Sequence, residues 1–272
     1  MYFWPLGKVT LSKSVKYKGA KAVYSQRGGG ETIVLLHGFL EERSMWDVFA
    51  SELSETHNVI CVDLLGQGES DCLGYIHSMT DHAEAVKHVL DAEEIGQCVV
   101  VGHSMGGYVA LELANLYPNM ISKLVLFHST AYADSEEKKA DRQRVIDLAQ
   151  RNKDVFIKAV VPTLFAEDSL AKLSAEISKV CEIASRFTLQ GVVANIRGMM
   201  EREARVDVLK SGAFPKLIIH GKLDAVIPNS DMLEQSRLNN NITLKVFEGI
   251  GHMGHLEAPE ACLEVLKEFA SK

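Results

Sequence analysis

Apolar and polar positions along the chain follow two rhythms, and the switches between them divide it into segments. From Val15 to Ser25, apolar residues alternate with lysines and other polar residues around Gly19, the period-two pattern of a hairpin with one wet face. Four short, nearly continuous apolar runs follow: Thr32 to Leu36, Val59 to Asp63, Cys98 to Val101 and Lys123 to Phe127. Stretches with helical spacing separate them, at Trp46 to Leu53, His82 to Leu90 and Gly107 to Leu116. Strands apolar on both faces, alternating with helices, predict a parallel sheet covered on both sides. The hairpin predicts that this sheet starts antiparallel.

The alternation stops near Ala133. From there to Asp207 the chain is charged and helix-patterned, with helices expected over Ser135 to Arg151, Asp168 to Ala184 and Leu189 to Arg202 and no strand. Strand patterns resume at Lys216 to His220 and Ile242 to Phe247. A last amphipathic helix runs from Pro259 to Ala270, with Ala261, Leu263, Val265, Leu266 and Phe269 on its apolar face. The expectation is a core in two pieces, residues 1–132 and 208–272, interrupted by a helical insertion over residues 133–207.

Composition narrows the function classes. The 272 residues carry 29 Lys+Arg against 36 Asp+Glu, a net charge of −7, which argues against a nucleic-acid partner. Every apolar run falls far short of the ~20 residues that span a bilayer. Met1 to Leu6 is apolar but lacks a basic n-region and a small-residue cleavage site. It is therefore expected to pack on the body and not to serve as a signal peptide. Five scattered cysteines without a C-x-x-C read as reduced thiols of a cytoplasmic protein.

The chemistry concentrates after the Cys98 to Val101 strand, where Gly102-His103-Ser104-Met105-Gly106 opens a helix. A G-x-S-x-G between strand and helix holds its serine on a strained turn, hydroxyl clear of the sheet, and the flanking glycines give the room. The turn puts the Met105 amide at a helix N-terminus, where it can stabilise a negative oxygen. A second donor is expected from the Phe39 amide, in the His37-Gly38-Phe39-Leu40 loop after the Thr32 to Leu36 strand, with His37 hydrogen-bonding loop backbone.

A serine nucleophile needs a base, and the base needs a carboxylate to orient it. His252 lies in the glycine-rich loop after Ile242 to Phe247; His255, three residues on, is its rival. Asp224 follows the strand ending at His220 and is the candidate acid, the alternative being a turn or capping aspartate. Loops at the carboxyl ends of parallel strands are where sites form in open α/β sheets.

With these residues in place the chain resembles the α/β-hydrolase fold family over nearly its whole length outside the insertion. Val62 to Ser70 is similar to that family's D-x-x-G-x-G-x-S loop, and Gly251 to Glu260 to its closing motif, whose first histidine is catalytic. The resemblance thus favours His252 over His255 and implies an eight-stranded, mostly parallel sheet with helices on both sides. It also implies that Phe39 and Met105 form the oxyanion hole and that residues 133–207 form a cap over the pocket. Serine at the elbow argues against the dehalogenase and epoxide hydrolase branches, which carry aspartate there. Arg197 to Glu203 looks like a stretch of carboxylesterase and enol-lactonase relatives.

Other features are read as structural. Lys138, Lys139, Arg142 and Arg144 interleave with acids, as a solvated helical face does. Gly28-Gly29-Gly30 precedes a strand, the wrong place for a phosphate loop, and His77, His82 and His88 make no zinc signature. His128-Ser129-Thr130 ends a strand beside the nucleophile, lining the pocket or supporting it. The expected function is hydrolysis of a small-molecule carboxylic ester or thioester through Ser104, His252 and Asp224, with no cofactor and no metal. Val226 and Met253, beside the triad residues, are candidate substrate-binding positions. A lactonase or carbon–carbon bond hydrolase on the same triad, or a non-catalytic receptor, are the alternatives.

Overall fold

A computed structural model describes residues 12–272; the packing expected of Met1 to Leu6 lies outside the described residues. Eight strands form one sheet: β1 (Ser12–Tyr17), β2 (Ala20–Arg27), β3 (Thr32–Leu36), β4 (Asn58–Val62), β5 (Cys98–His103), β6 (Ile121–Phe127), β7 (Lys216–Gly221) and β8 (Ile242–Phe247). Their spatial order is β1-β2-β4-β3-β5-β6-β7-β8; the β1–β2 and β2–β4 pairings are antiparallel and the other five are parallel. The first hairpin turns tightly at Lys18-Gly19, both at positive φ, the geometry whose twist matches that of the strands it joins.

Period two explains why the central strands are apolar throughout. Val34 and Leu36 of β3, with Cys98 and Val100 of β5, enter one core, whereas Ile33, Leu35, Val99 and Val101 enter the other. Helices α1 (Asp47–Leu53), α2 (Met79–Ala92) and α3 (Met105–Leu116) connect the first strands. Within them Phe49 and Leu53 of α1 fill the second core, while Val86 of α2 and Val109 of α3 fill the first. Each fully buried Val, Leu or Ile contributes roughly 1.5–3 kcal/mol, so both faces of the sheet are strongly held.

Between β6 and β7 the described chain is helical, with α4 (Glu136–Arg151), α5 (Lys153–Val160), α6 (Glu167–Leu170), α7 (Ser174–Arg186), α8 (Leu189–Glu201) and α9 (Val206–Ser211). Side chains of Ser135, Asn152 and Thr188 cap α4, α5 and α8. The Asp168 to Ala184 helix expected from the pattern is instead split into α6 and α7. The basic face of α4 is less solvated than its pattern implied: Lys138 donates to the Val226 carbonyl at 2.9 Å, and Arg142 pairs with buried Asp134. After β7 come α10 (Asn229–Gln235), α11 (Gly254–Glu257) and α12 (Pro259–Ser271), the last placing Leu263 and Leu266 in the second core. Among the described residues no helix is long and apolar enough to cross a membrane.

Candidate active site

In-register pairing brings the strand ends that carry the candidate residues to one edge of the sheet. Leu36 of β3 pairs with Gly102 of β5, His103 with Phe127 of β6, Phe127 with Ile219 of β7, and Gly221 with Phe247 of β8. Phe39, Ser104, Asp224 and His252 all follow within five residues of those ends.

Ser104 stands between β5 and α3 at φ 50° and ψ −115°, a conformation costly for a residue with a side chain. Surrounding bonds hold it there. Its amide donates to the Phe127 carbonyl at 3.0 Å, and its own carbonyl accepts from Gly107 at 2.9 Å and from the Ser129 hydroxyl at 2.7 Å. The flanking glycines are sterically required: a Cβ at Gly102 would sit 2.2 Å from the Gly106 carbonyl oxygen, and one at Gly106 2.4 Å from that of Leu36. Ser129 thus supports the elbow from beneath, while Thr130 accepts from Gln235 of α10.

Asp224 is almost fully buried. One carboxylate oxygen accepts from the amides of Val226 and Ile227 at 2.8 and 3.0 Å, and the other faces His252 Nδ1 at 2.7 Å. It therefore orients an imidazole while making the turn contacts that a capping aspartate would make. Burial alone would raise its pKa, but the His252 and His128 rings outweigh burial and hold the carboxyl well below the ordinary range. Among the described residues no hydrogen bond joins the Ser104 hydroxyl to the His252 ring, a contact that such sites commonly tighten only around substrate.

Met105 opens α3, so its amide belongs to the first turn, whose donors have no intrahelical acceptor. The Phe39 amide makes none of the loop backbone hydrogen bonds among the described residues. His37 organises that loop: its Nε2 accepts from the Leu64 amide at 2.9 Å, which leaves Nδ1 to donate to the Gly38 carbonyl at 2.8 Å. Met253 is fully buried in the first core and Val226 half-buried at its margin.

The general model of the alpha/beta hydrolase fold matches residues 31–259. The chain belongs to the α/β-hydrolase fold family. Among solved structures, a thermophilic esterase from Thermogutta terrifontis superposes with a TM-score of 0.89 at 29% identity, covering 94% of this chain and 97% of that one. The enol-lactonase from Burkholderia xenovorans LB400 superposes at 0.88 with 19% identity over 96% and 100% of the two chains, a likeness of fold alone. In sequence, 2-(acetamidomethylene)succinate hydrolase from Mesorhizobium japonicum is 22% identical over 253 residues, 90% of this chain and 89% of that protein.

Around its elbow this α/β-hydrolase carries further buried ionisable groups, among them Glu41 and His220, which no local pattern announced. His255 does not contact Asp224; its Nε2 lies 3.4 Å from Glu41 Oε1, and burial pushes its imidazole down to about 3. Glu41 Oε2 takes His103 Nδ1 at 2.7 Å. His128 and His220 stand 3.5 and 3.8 Å from Asp224 Oδ2, and burial pushes the His128 ring down to about 3 as well. Two groups, Glu41 with His103 and His255, and Asp224 with His128 and His220, bring ligand atoms within 4.8 Å of one another, close enough for a metal ion. In the first, both nitrogens of His103 are already hydrogen-bonded. In the second, the shared Asp224 oxygen is committed to His252. Neither group is a closed hydrogen-bond network, because Glu41 Oε1, His255 Nδ1, His128 Nε2 and both His220 nitrogens are buried without a hydrogen-bond partner among the described residues.

Proposed function

We propose that the protein is a serine hydrolase that cleaves a carboxylic ester or thioester of a small to medium substrate. The observation that carries this reading is the strained Ser104 on the β5–α3 turn, two strands from a buried Asp224–His252 pair at 2.7 Å. Ser104 attacks the carbonyl carbon while His252 Nε2 takes the hydroxyl proton, and the tetrahedral oxygen is held by the amides of Phe39 and Met105. Collapse breaks the bond to the alcohol or thiol, which leaves with the proton from His252. Water, deprotonated by the same ring, then attacks the acyl-enzyme and frees the acid and Ser104. Asp224 keeps the imidazole in the tautomer that accepts at Nε2.

In this reading the helices from residue 133 to 207 form a cap over the pocket, and Val226 contributes apolar wall, with Met253 fully buried in the core. The five cysteines are all unpaired, which fits the reducing cytoplasm that the same reading gives the protein. The test is hydrolysis of p-nitrophenyl esters from acetate to dodecanoate by wild type and by Ser104→Ala, with fluorophosphonate labelling of Ser104 in parallel. Activity and labelling are expected in wild type and neither in the variant. Labelling without ester turnover would move the reading to lactones and carbon–carbon substrates; wild-type turnover by Ser104→Ala, or no labelling of folded wild type, would overturn it.

A further inference from the structure

Three loops must hold their mutual geometry for the proposed chemistry: the loop after β3 with the Phe39 amide, the turn with Ser104, and the loop with His252. We propose that a buried Glu41–His103 ion pair locks these three loops together and positions the catalytic groups. The inference rests on the serine hydrolase reading of the same site.

The contacts are specific. Glu41 Oε2 accepts from the Gly38 amide at 2.8 Å, one residue before Phe39, and from His103 Nδ1 at 2.7 Å, one residue before Ser104. The other ring nitrogen of His103 lies 2.9 Å from the carbonyl oxygen of His252 itself. Each end of this chain of bonds is thus within one residue of a working group. Glu41 and His103 are 5% and 1% exposed, so water competes for none of these bonds.

The partners also fix the charge. A carboxylate and a carbonyl are both acceptors, so a ring bonded to one through Nδ1 and to the other through Nε2 must donate from both nitrogens, which only an imidazolium does. The electrostatics agree: burial works against both charges, yet the pair outweighs it, raising His103 above the ordinary histidine value and holding Glu41 down to about 2. Packing leaves no slack. A Cβ on Gly38 would stand 2.5 Å from Glu41 Oε2 and 2.7 Å from His103 Nδ1, so glycine is what lets the loop backbone reach the pair. A neutral residue at position 103 would leave the Glu41 carboxylate buried without its cation and the His252 carbonyl without its donor.

His103 touches neither substrate nor reacting atoms in this scheme; it acts on His252 and Ser104 through backbone. His103→Phe and Glu41→Gln test it, with kcat and KM on the best p-nitrophenyl ester, the rate of fluorophosphonate labelling, and imidazole 15N shifts of His103. For His103→Phe, kcat and labelling rate should fall together, on the order of 10²-fold, as for reacting groups misplaced by about 1 Å, with KM unchanged. Wild type should show the imidazolium signature at His103 at pH 7.5, and Glu41→Gln should lose it and lower kcat without unfolding. If His103→Phe fails to fold, Glu41→Gln decides alone. Folded variants with wild-type kcat, or a neutral His103 in wild type, would overturn the proposal. Where wild type is labelled at Ser104, such a result overturns the positioning role only; where folded wild type is not labelled, both readings fall.

Discussion

Gly106 shows how tightly single residues are constrained at the elbow. Its added Cβ would meet the carbonyl oxygens of Leu36 at 2.4 Å and His37 at 2.6 Å, the last residue of β3 and the one after it, and β3 cannot retreat without breaking its pairing with β5. Gly106→Ala should therefore cost about 1–3 kcal/mol in urea unfolding, the usual range for forced overpacking, and should slow fluorophosphonate labelling of Ser104. A variant with wild-type midpoint and labelling would show that the turn has more room than these distances allow. The glycines and Ser104 were legible because the strand, turn and helix that need them are contiguous in sequence. Asp224 and His252 were legible as residues just after strands, though their pairing spans 28 positions. The Glu41–His103 partnership is not legible in sequence: the two are 62 residues apart, and nothing in the sequence around either one marks a buried charge.

At the scale of elements, periodicity read the strands well and helix breaks poorly. The observed strands lie within a few residues of the apolar runs; β5 runs on to His103, because a ring whose two nitrogens are both bonded can be buried like an apolar residue. The break between α6 and α7 falls at Ala171-Lys172-Leu173, good helix formers that give no local sign. There Leu173 turns in to pack against the first core, a tertiary preference that overrides propensity. Asn195 of α8 is another tertiary device. Its amide nitrogen donates to the Leu65 carbonyl at 3.0 Å, and its oxygen lies 2.8 and 3.2 Å from ring nitrogens of His82 and His77. One side chain thus fastens the helices after β6 to the loop after β4. Asn195→Leu should leave those buried groups unpaired and lower stability by roughly 1–3 kcal/mol, read as a lower urea midpoint at unchanged m. An unaltered midpoint would mean that apolar packing of α8 alone holds the seam.

The whole molecule carries its buried histidines as a shared sensitivity to acid. Burial, with help from neighbouring rings, pushes His82, His128 and His255 from the ordinary 6.5 down to about 3. Between those values the unfolded chain binds protons that the folded protein refuses, so stability falls as pH drops below about 6.5. Glu41, held at about 2 against an ordinary 4.5, has the same sign lower down: its contribution is present above 4.5 and is lost as pH falls towards 2. His103 has the opposite sign, because its raised pKa contributes stability that is complete below 6.5 and disappears as pH rises through the folded value. The two sets bound a plateau near neutrality. Urea unfolding at pH 7, 6 and 5 should show a decline that steepens below 6.5, on the order of 1.4 kcal/mol per pH unit for each proton taken up on unfolding. Because burial lowers His37, His77 and His220 as well as these three, removing one ring with His82→Gln should reduce the slope without abolishing it. A stability that stays level from pH 7 to 5 would mean that these rings already carry protons in the fold, and the networks around Asp224 and Asn195 would then have to be rebuilt with charged rings.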